Sequence, residues 1–145
     1  EAKGLFGILR GQSMSDATQI DLLVVDDDDE FRDTLVRRFS RCGFAVSDAG
    51  DGEEALDMTG RREFDVTVVD MMMPGLSGLE LLEKFKESNV ECETIFLTGK
   101  GTIETAVQAM KLGAFDYLQK PFPLQDLETV IRGQSAFALR CRPRR

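Results

Sequence analysis

The 145-residue chain contains no histidine, which removes histidine-centred triads, imidazole metal ligands and imidazole general bases from its chemistry. Its three cysteines, Cys42, Cys92 and Cys141, are widely spaced and form no CxxC pair. Neither a disulfide framework nor a thiolate zinc site is indicated, and a reducing compartment is the natural reading. No apolar stretch approaches the roughly 18 residues of a membrane span, and Leu5-Phe6-Gly7-Ile8-Leu9 is too short for a secretory core. The expectation is a soluble, cytoplasmic protein with no membrane partner. Basic residues are scarce as well: the formal net charge is −8, and residues 20–139 hold 12 basic against 24 acidic side chains, a net of −12. Such a domain offers no basic surface for nucleic acid.

What is present is a regular alternation. A chain of this length with 42% hydrophobic residues fits one domain, whose usual size is roughly 100–150 residues. Residues 1–19 show no sustained period, and Gln12-Ser13-Met14 resembles the junction of a tag with a native start, so the folded domain is expected over 20–138. Residues 139–145, with four arginines among the last six, read as a basic tail or a truncated linker. In between, strands are expected at 20–25, 44–48, 65–70, 93–98 and 115–118, and helices at 29–41, 52–61, 78–87, 103–112 and 124–138. Phe31, Leu35 and Phe39, and likewise Ile103, Val107 and Met110, recur at helical spacing and give each helix an apolar face. Asp51 with Glu54 and Ser77 with Glu80 have capping-box spacing, while Gly43 and Gly113 stand where C-cap glycines belong. Five strand–helix units imply a doubly wound α/β fold around a five-stranded parallel sheet with right-handed crossovers.

Four polar positions stand at the C-terminal ends of the apolar runs: Asp26-Asp27, Asp70, Thr98 and Lys120. In open parallel sheets, ligands bind outside the strand carboxyl ends. Three carboxylates, a hydroxyl and an ammonium would therefore share one cleft. Asp28, Asp29 and Glu30 could serve a helix N-terminus. Asp26 and Asp27 directly end a buried strand, where adjacent carboxylates repel unless a cation joins them, and oxygen-only ligands suit Mg²⁺. Asp70 could simply start a loop, or it could be a carboxylate nucleophile that forms an acyl phosphate. Thr98 and Lys120, each ordinary when taken singly, together offer a donor and a positive charge to phosphoryl oxygens. Pro121 fixes φ after Lys120, and the Lys120-Pro121 bond could be either isomer.

Val24-Val25-Asp26-Asp27, Val69-Asp70-Met71-Met72-Met73-Pro74-Gly75-Leu76-Ser77-Gly78, Phe96-Leu97-Thr98-Gly99 and Gly113-Ala114-Phe115-Asp116-Tyr117-Leu118-Gln119-Lys120-Pro121-Phe122 resemble the receiver domain of two-component response regulators. The resemblance covers about residues 20–138. It implies a flavodoxin-like (βα)5 fold with strand order 2-1-3-4-5. It further implies that Asp70 accepts a phosphoryl group from a histidine kinase or phosphotransfer protein, whose histidine the chain itself lacks. Asp27, Asp70 and the Met72 carbonyl would ligate Mg²⁺, with Asp26 helping through water. Lys120 would contact the phosphoryl group, Thr98 would move to hydrogen-bond it, and Tyr117 would change rotamer with it. That switch would alter the face of the fourth helix, fifth strand and fifth helix, which also implies a homodimer contact. The expected role is a phosphoacceptor in a phosphorelay, not a conventional enzyme, controlling an output domain outside this chain and through it transcription. The fourth motif looks most like receivers of NtrC-type transcriptional activators, although stand-alone receivers share it.

Two residues depart from the pattern: Met72 provides no polar side chain to steer a hydrolytic water, and Lys100 lies two after Thr98. The methionine run reads as adaptable loop packing. A haloacid-dehalogenase-like phosphatase would want a carboxylate at position 72, and Gly99-Lys100-Gly101-Thr102 lacks the first glycine of a phosphate loop. The remaining alternative is a receiver-fold interaction module that works without phosphorylation, against which the complete acidic set argues.

Overall fold

In a computed structural model, which describes residues 19–99 and 103–141, five strands and five helices alternate along the chain. They are β1 (Asp21–Val25), α1 (Asp29–Arg41), β2 (Ala45–Ala49), α2 (Gly52–Arg61), β3 (Val66–Asp70), α3 (Gly78–Glu87), β4 (Glu93–Thr98), α4 (Ile103–Lys111), β5 (Asp116–Gln119) and α5 (Leu124–Cys141). All strands are parallel, in the order β2-β1-β3-β4-β5. This is the doubly wound (βα)5 arrangement expected, with strands displaced by at most one residue. The last helix runs three residues past its expected end at 138, so Leu139, Arg140 and Cys141 continue it. Residues 1–18 and 142–145, which hold most of the expected tag and tail, lie outside the described residues, as does Lys100.

The continuous apolar runs of β1, β3 and β4 are explained by burial on both faces, which a parallel sheet covered by helices requires. Alternate side chains feed two separate cores. Leu22, Val24, Val66, Val68, Ile95 and Leu97 pack with Leu35 and Phe39 of α1 and Leu127 and Ile131 of α5. Leu23, Val25, Val69 and Phe96 face the other way, onto Ala55 of α2, Leu81 and Phe85 of α3 and Ala109 of α4. Fully burying such a Leu, Val or Phe side chain is worth roughly 1.5–3 kcal/mol, and β1, β3 and β4 each contribute several of them to the two cores.

Local chemistry sets the helix ends. Asp28 caps α1 by accepting the Phe31 N–H, and Ser77 with Glu80 completes a full capping box on α3. The second expected box is shifted: Asp51 accepts the Glu54 N–H, but the Glu54 carboxylate reaches back to the Gly50 N–H instead of the cap residue. Gly43 and Gly113 follow α1 and α4 with φ of +94° and +105°, a region that favours glycine.

One helix face differs from the sequence reading. On α4 the buried residues are Ala106 and Ala109, while Val107 and Met110 are 48% and 40% exposed. Val107 and Met110 of the apolar stripe therefore point away from the core. Two small alanines allow α4 to lie close against the sheet.

Candidate functional site

The sheet order places the ends of β1, β3, β4 and β5 in one row. Backbone pairing continues one step past the strands: Met71 N–H donates to Leu97 C=O at 2.9 Å and Lys120 N–H to Thr98 C=O at 2.7 Å. Asp70 and Thr98 are thus presented from strand ends, Asp26 and Lys120 from the first residue after a strand, and Asp27 from the second. The Lys120-Pro121 bond is cis.

Asp26, Asp27 and Asp70 come together, offering one carboxylate oxygen each within 4.8 Å of one another. Asp26 is almost fully buried, at 1% exposure. Its Oδ1 accepts the Asp28 N–H at 2.9 Å and its Oδ2 lies 3.2 Å from Lys120 Nζ. Asp70 is also buried; its Oδ1 accepts the Met72 N–H at 3.4 Å and lies 3.8 Å from Lys120 Nζ. Asp27 is exposed at the mouth. Lys120 thereby touches two carboxylates from the opposite side of the cleft.

Burial is the main cause that lifts the Asp70 carboxyl from its ordinary 3.8 to about 6, and the Asp26 charge pushes it the same way. Lys120 and the Met72 N–H oppose the rise, while Asp27 adds to it. Two carboxylates at this range repel by about 3–4 kcal/mol at an effective dielectric near 20. One ammonium between three carboxylates leaves negative charge uncompensated. A small hard cation meets that requirement: the donors are all oxygen, they converge, and Asp27 keeps one side open to water. The acidic set therefore fits a divalent ion such as Mg²⁺.

Thr98 is buried, and its hydroxyl donates to Leu118 C=O at 3.5 Å, a long bond directed toward β5. Tyr117 lies on β5 with its ring exposed and outside the carboxylate cluster. The Met72 side chain is the most exposed large apolar group described, at 65%.

Two contributors were not singled out as site residues from the sequence. Phe31 was read only as core stripe, yet its ring lies 4.5 Å from Lys120 Nζ and packs edge-on against Phe122. Arg32 on α1 donates to the Asp26 carbonyl at 2.7 Å. Both stand in the first turns of α1, where helical periodicity signals packing but gives no sign of contacts to other loops.

Residues 22–132 match the response regulator receiver domain, and the chain belongs to that family. It is thus a receiver domain of two-component signalling. It is 40% identical over 111 residues to the response regulator MprA of Mycobacterium leprae (strain TN), across 77% of this chain and 49% of that protein. It is 38% identical over 107 residues to the transcriptional activator protein PfeR of Pseudomonas aeruginosa, across 74% and 35%. Among solved structures, full-length FixJ from B. japonicum is 37% identical with a TM-score of 0.78, covering 82% of this chain and 59% of that one. NtrX from Brucella abortus, solved in complex with ATP, is 33% identical with a TM-score of 0.76, covering 82% and 27%. The chain spans about half or less of the two sequence relatives, MprA and PfeR.

Proposed function

We propose that Asp70 is the phosphoacceptor and that Asp26, Asp27 and Asp70 hold Mg²⁺ while Lys120 and Thr98 read the product. The observation that carries this reading is the convergence of three carboxylates with Lys120 at the row of strand ends. A bound Mg²⁺ would supply charge neutralisation for the nucleophile and the phosphoryl oxygens together. Asp27 and Asp70, with the Met72 carbonyl, are the direct ligands in this reading. Asp26, whose two oxygens already accept Asp28 N–H and face Lys120, acts through water.

In the transfer step an Asp70 carboxylate oxygen attacks phosphorus. The new O–P bond forms as the N–P bond of the donor phosphohistidine breaks, and the electron pair returns to the imidazole of a histidine kinase or phosphotransfer partner. Lys120 then pairs with a phosphoryl oxygen, and the Thr98 hydroxyl turns from Leu118 C=O toward another. Space vacated by Thr98 lets Tyr117 change rotamer. The surface affected is that of α4, β5 and α5, where Val107, Met110, Phe115 and Tyr117 are exposed. A second copy of the chain is the proposed occupant, and an output domain controlling transcription is the proposed recipient of the signal in the cytoplasm.

Incubation with acetyl phosphate and Mg²⁺ tests the reading. One phosphoryl group, stable to acid and labile to base, is expected on the wild type and none on Asp70→Asn. An unlabelled wild type overturns the acceptor role. Partner binding unchanged by Asp70→Asn would favour a phosphorylation-independent interaction module.

A further inference from the structure

Resting on the proposed cation site, we infer that Arg32 is a positioning residue that fixes the backbone from which Asp27 reaches the ion. The guanidinium makes three directed contacts. Nη1 donates to Asp26 C=O at 2.7 Å, Nε donates to Asp48 Oδ2 at 2.8 Å, and Nη2 lies 2.8 Å from Asp29 Oδ1. Asp48 belongs to β2, where it is paired with Val24 of β1, so the arginine joins α1, the end of β1 and the outer strand.

The Asp26 carbonyl is part of the peptide linking Asp26 to Asp27. Holding that oxygen sets the plane of this peptide, and with it the direction in which the Asp27 side chain leaves the backbone. On the other side, Asp26 Oδ1 holds the Asp28 N–H, so the loop is pinned on both flanks of Asp27. Asp27 itself is exposed. Gly50 makes room for the clamp: a Cβ there would lie 3.3 Å from Arg32 Nη1. A planar fork with several donors in fixed directions suits this task, and a lysine, with a single point of charge, does not reproduce it.

The sign of the effect separates positioning from charge. Arg32 is a cation near an acidic cluster, so electrostatics alone predicts that removing it tightens Mg²⁺ binding. Positioning predicts the opposite, and partners that orient metal ligands typically matter by tenfold or more in affinity.

Isothermal titration of wild type, Arg32→Lys and Arg32→Gln with Mg²⁺, below the melting transition seen by circular dichroism, is the test. Affinity is expected to fall roughly tenfold in both variants. Labelling by acetyl phosphate should return toward the wild-type level at saturating Mg²⁺, which a general loss of structure would not allow. If Arg32→Gln does not fold, Arg32→Lys carries the test with its charge retained. Equal or tighter Mg²⁺ binding in the folded variants overturns the inference, as does labelling that stays low at all Mg²⁺ concentrations. A wild type that binds no Mg²⁺ overturns the cation-site reading itself.

Discussion

The Lys120 ammonium lies 4.5 Å from the centre of the Phe31 ring, so the cation of the site rests on an aromatic face supplied by the first turn of α1. Such a contact is worth about 0.5–1 kcal/mol where water is near and more where it is excluded. Phe31→Leu keeps most of the apolar volume and removes the ring. A double-mutant cycle of Phe31→Leu and Lys120→Met, read by urea unfolding, is expected to give a coupling energy of about 0.5–1 kcal/mol. A coupling of zero would mean that the ring only fills space.

Lys120 also neutralises Asp26 and Asp70, which makes it a competitor of the proposed ion. Replacing it by Gln removes a positive charge from the cleft and takes no oxygen ligand away. Lys120→Gln should therefore bind Mg²⁺ at least as tightly as the wild type, while Asp27→Ala binds it much more weakly. Calorimetric titration of the two variants checks this, and an equal loss in both would contradict the roles given to them.

The Asp70 carboxyl, lifted from 3.8 to about 6 by burial and by Asp26, costs the metal-free fold stability. Well below pH 3.8 the acid is protonated both folded and unfolded, so no penalty exists. The penalty grows as pH rises through that interval and is complete above about 6. In EDTA at pH 7.5, Asp70→Asn is expected to be more stable than the wild type by about 1–2 kcal/mol, allowing for solvent screening at a site open on one side. The gap should close as pH falls toward 4. Added Mg²⁺ should also close it, because an ion that binds only the folded wild type stabilises it. Thermal melts across pH, with and without Mg²⁺, measure all three.

What could be read in advance follows from where each signal resides. The strand ends were legible because a buried parallel strand is a run of Val, Leu and Ile, and a polar residue closing such a run is conspicuous, as at Asp70. Helix caps were legible for the same local reason. Contacts between elements were not. Arg32 looks like any polar residue on an amphipathic helix, and only folding brings its side chain to Asp26 and Asp48. Which face of α4 meets the sheet was not legible, because Val107 and Met110 carry a strong hydrophobic signal, whereas the buried alanines Ala106 and Ala109 carry a weak one. Asp65, a buried carboxylate at the start of β3, accepts the Asp21 N–H at 2.8 Å; that pairing depends on which strand lies beside it.

The last prediction concerns Gly78, the first residue of α3. A Cβ at this position would stand 2.9 Å from the Asp70 carbonyl, 2.9 Å from the Phe96 ring and 3.0 Å from Met71 Cα. Two of these neighbours are backbone atoms at the end of β3, so no flexible side-chain tip can turn aside to make room. Gly78 N–H also donates to Met71 C=O at 3.1 Å, which ties the helix start to the residue after Asp70. Gly78→Ala must therefore move α3 away or push the Asp70 segment toward the cleft. Overpacking of this kind costs roughly 1–3 kcal/mol, and the displaced backbone belongs to the proposed phosphoacceptor. The variant should lose stability in urea unfolding and, while still folded, should label more slowly with acetyl phosphate at saturating Mg²⁺. Slow labelling at saturating ion distinguishes it from the Arg32 variants, whose deficit higher Mg²⁺ relieves. Wild-type stability together with wild-type labelling would show that the close approach of α3 to β3 has no part in holding Asp70.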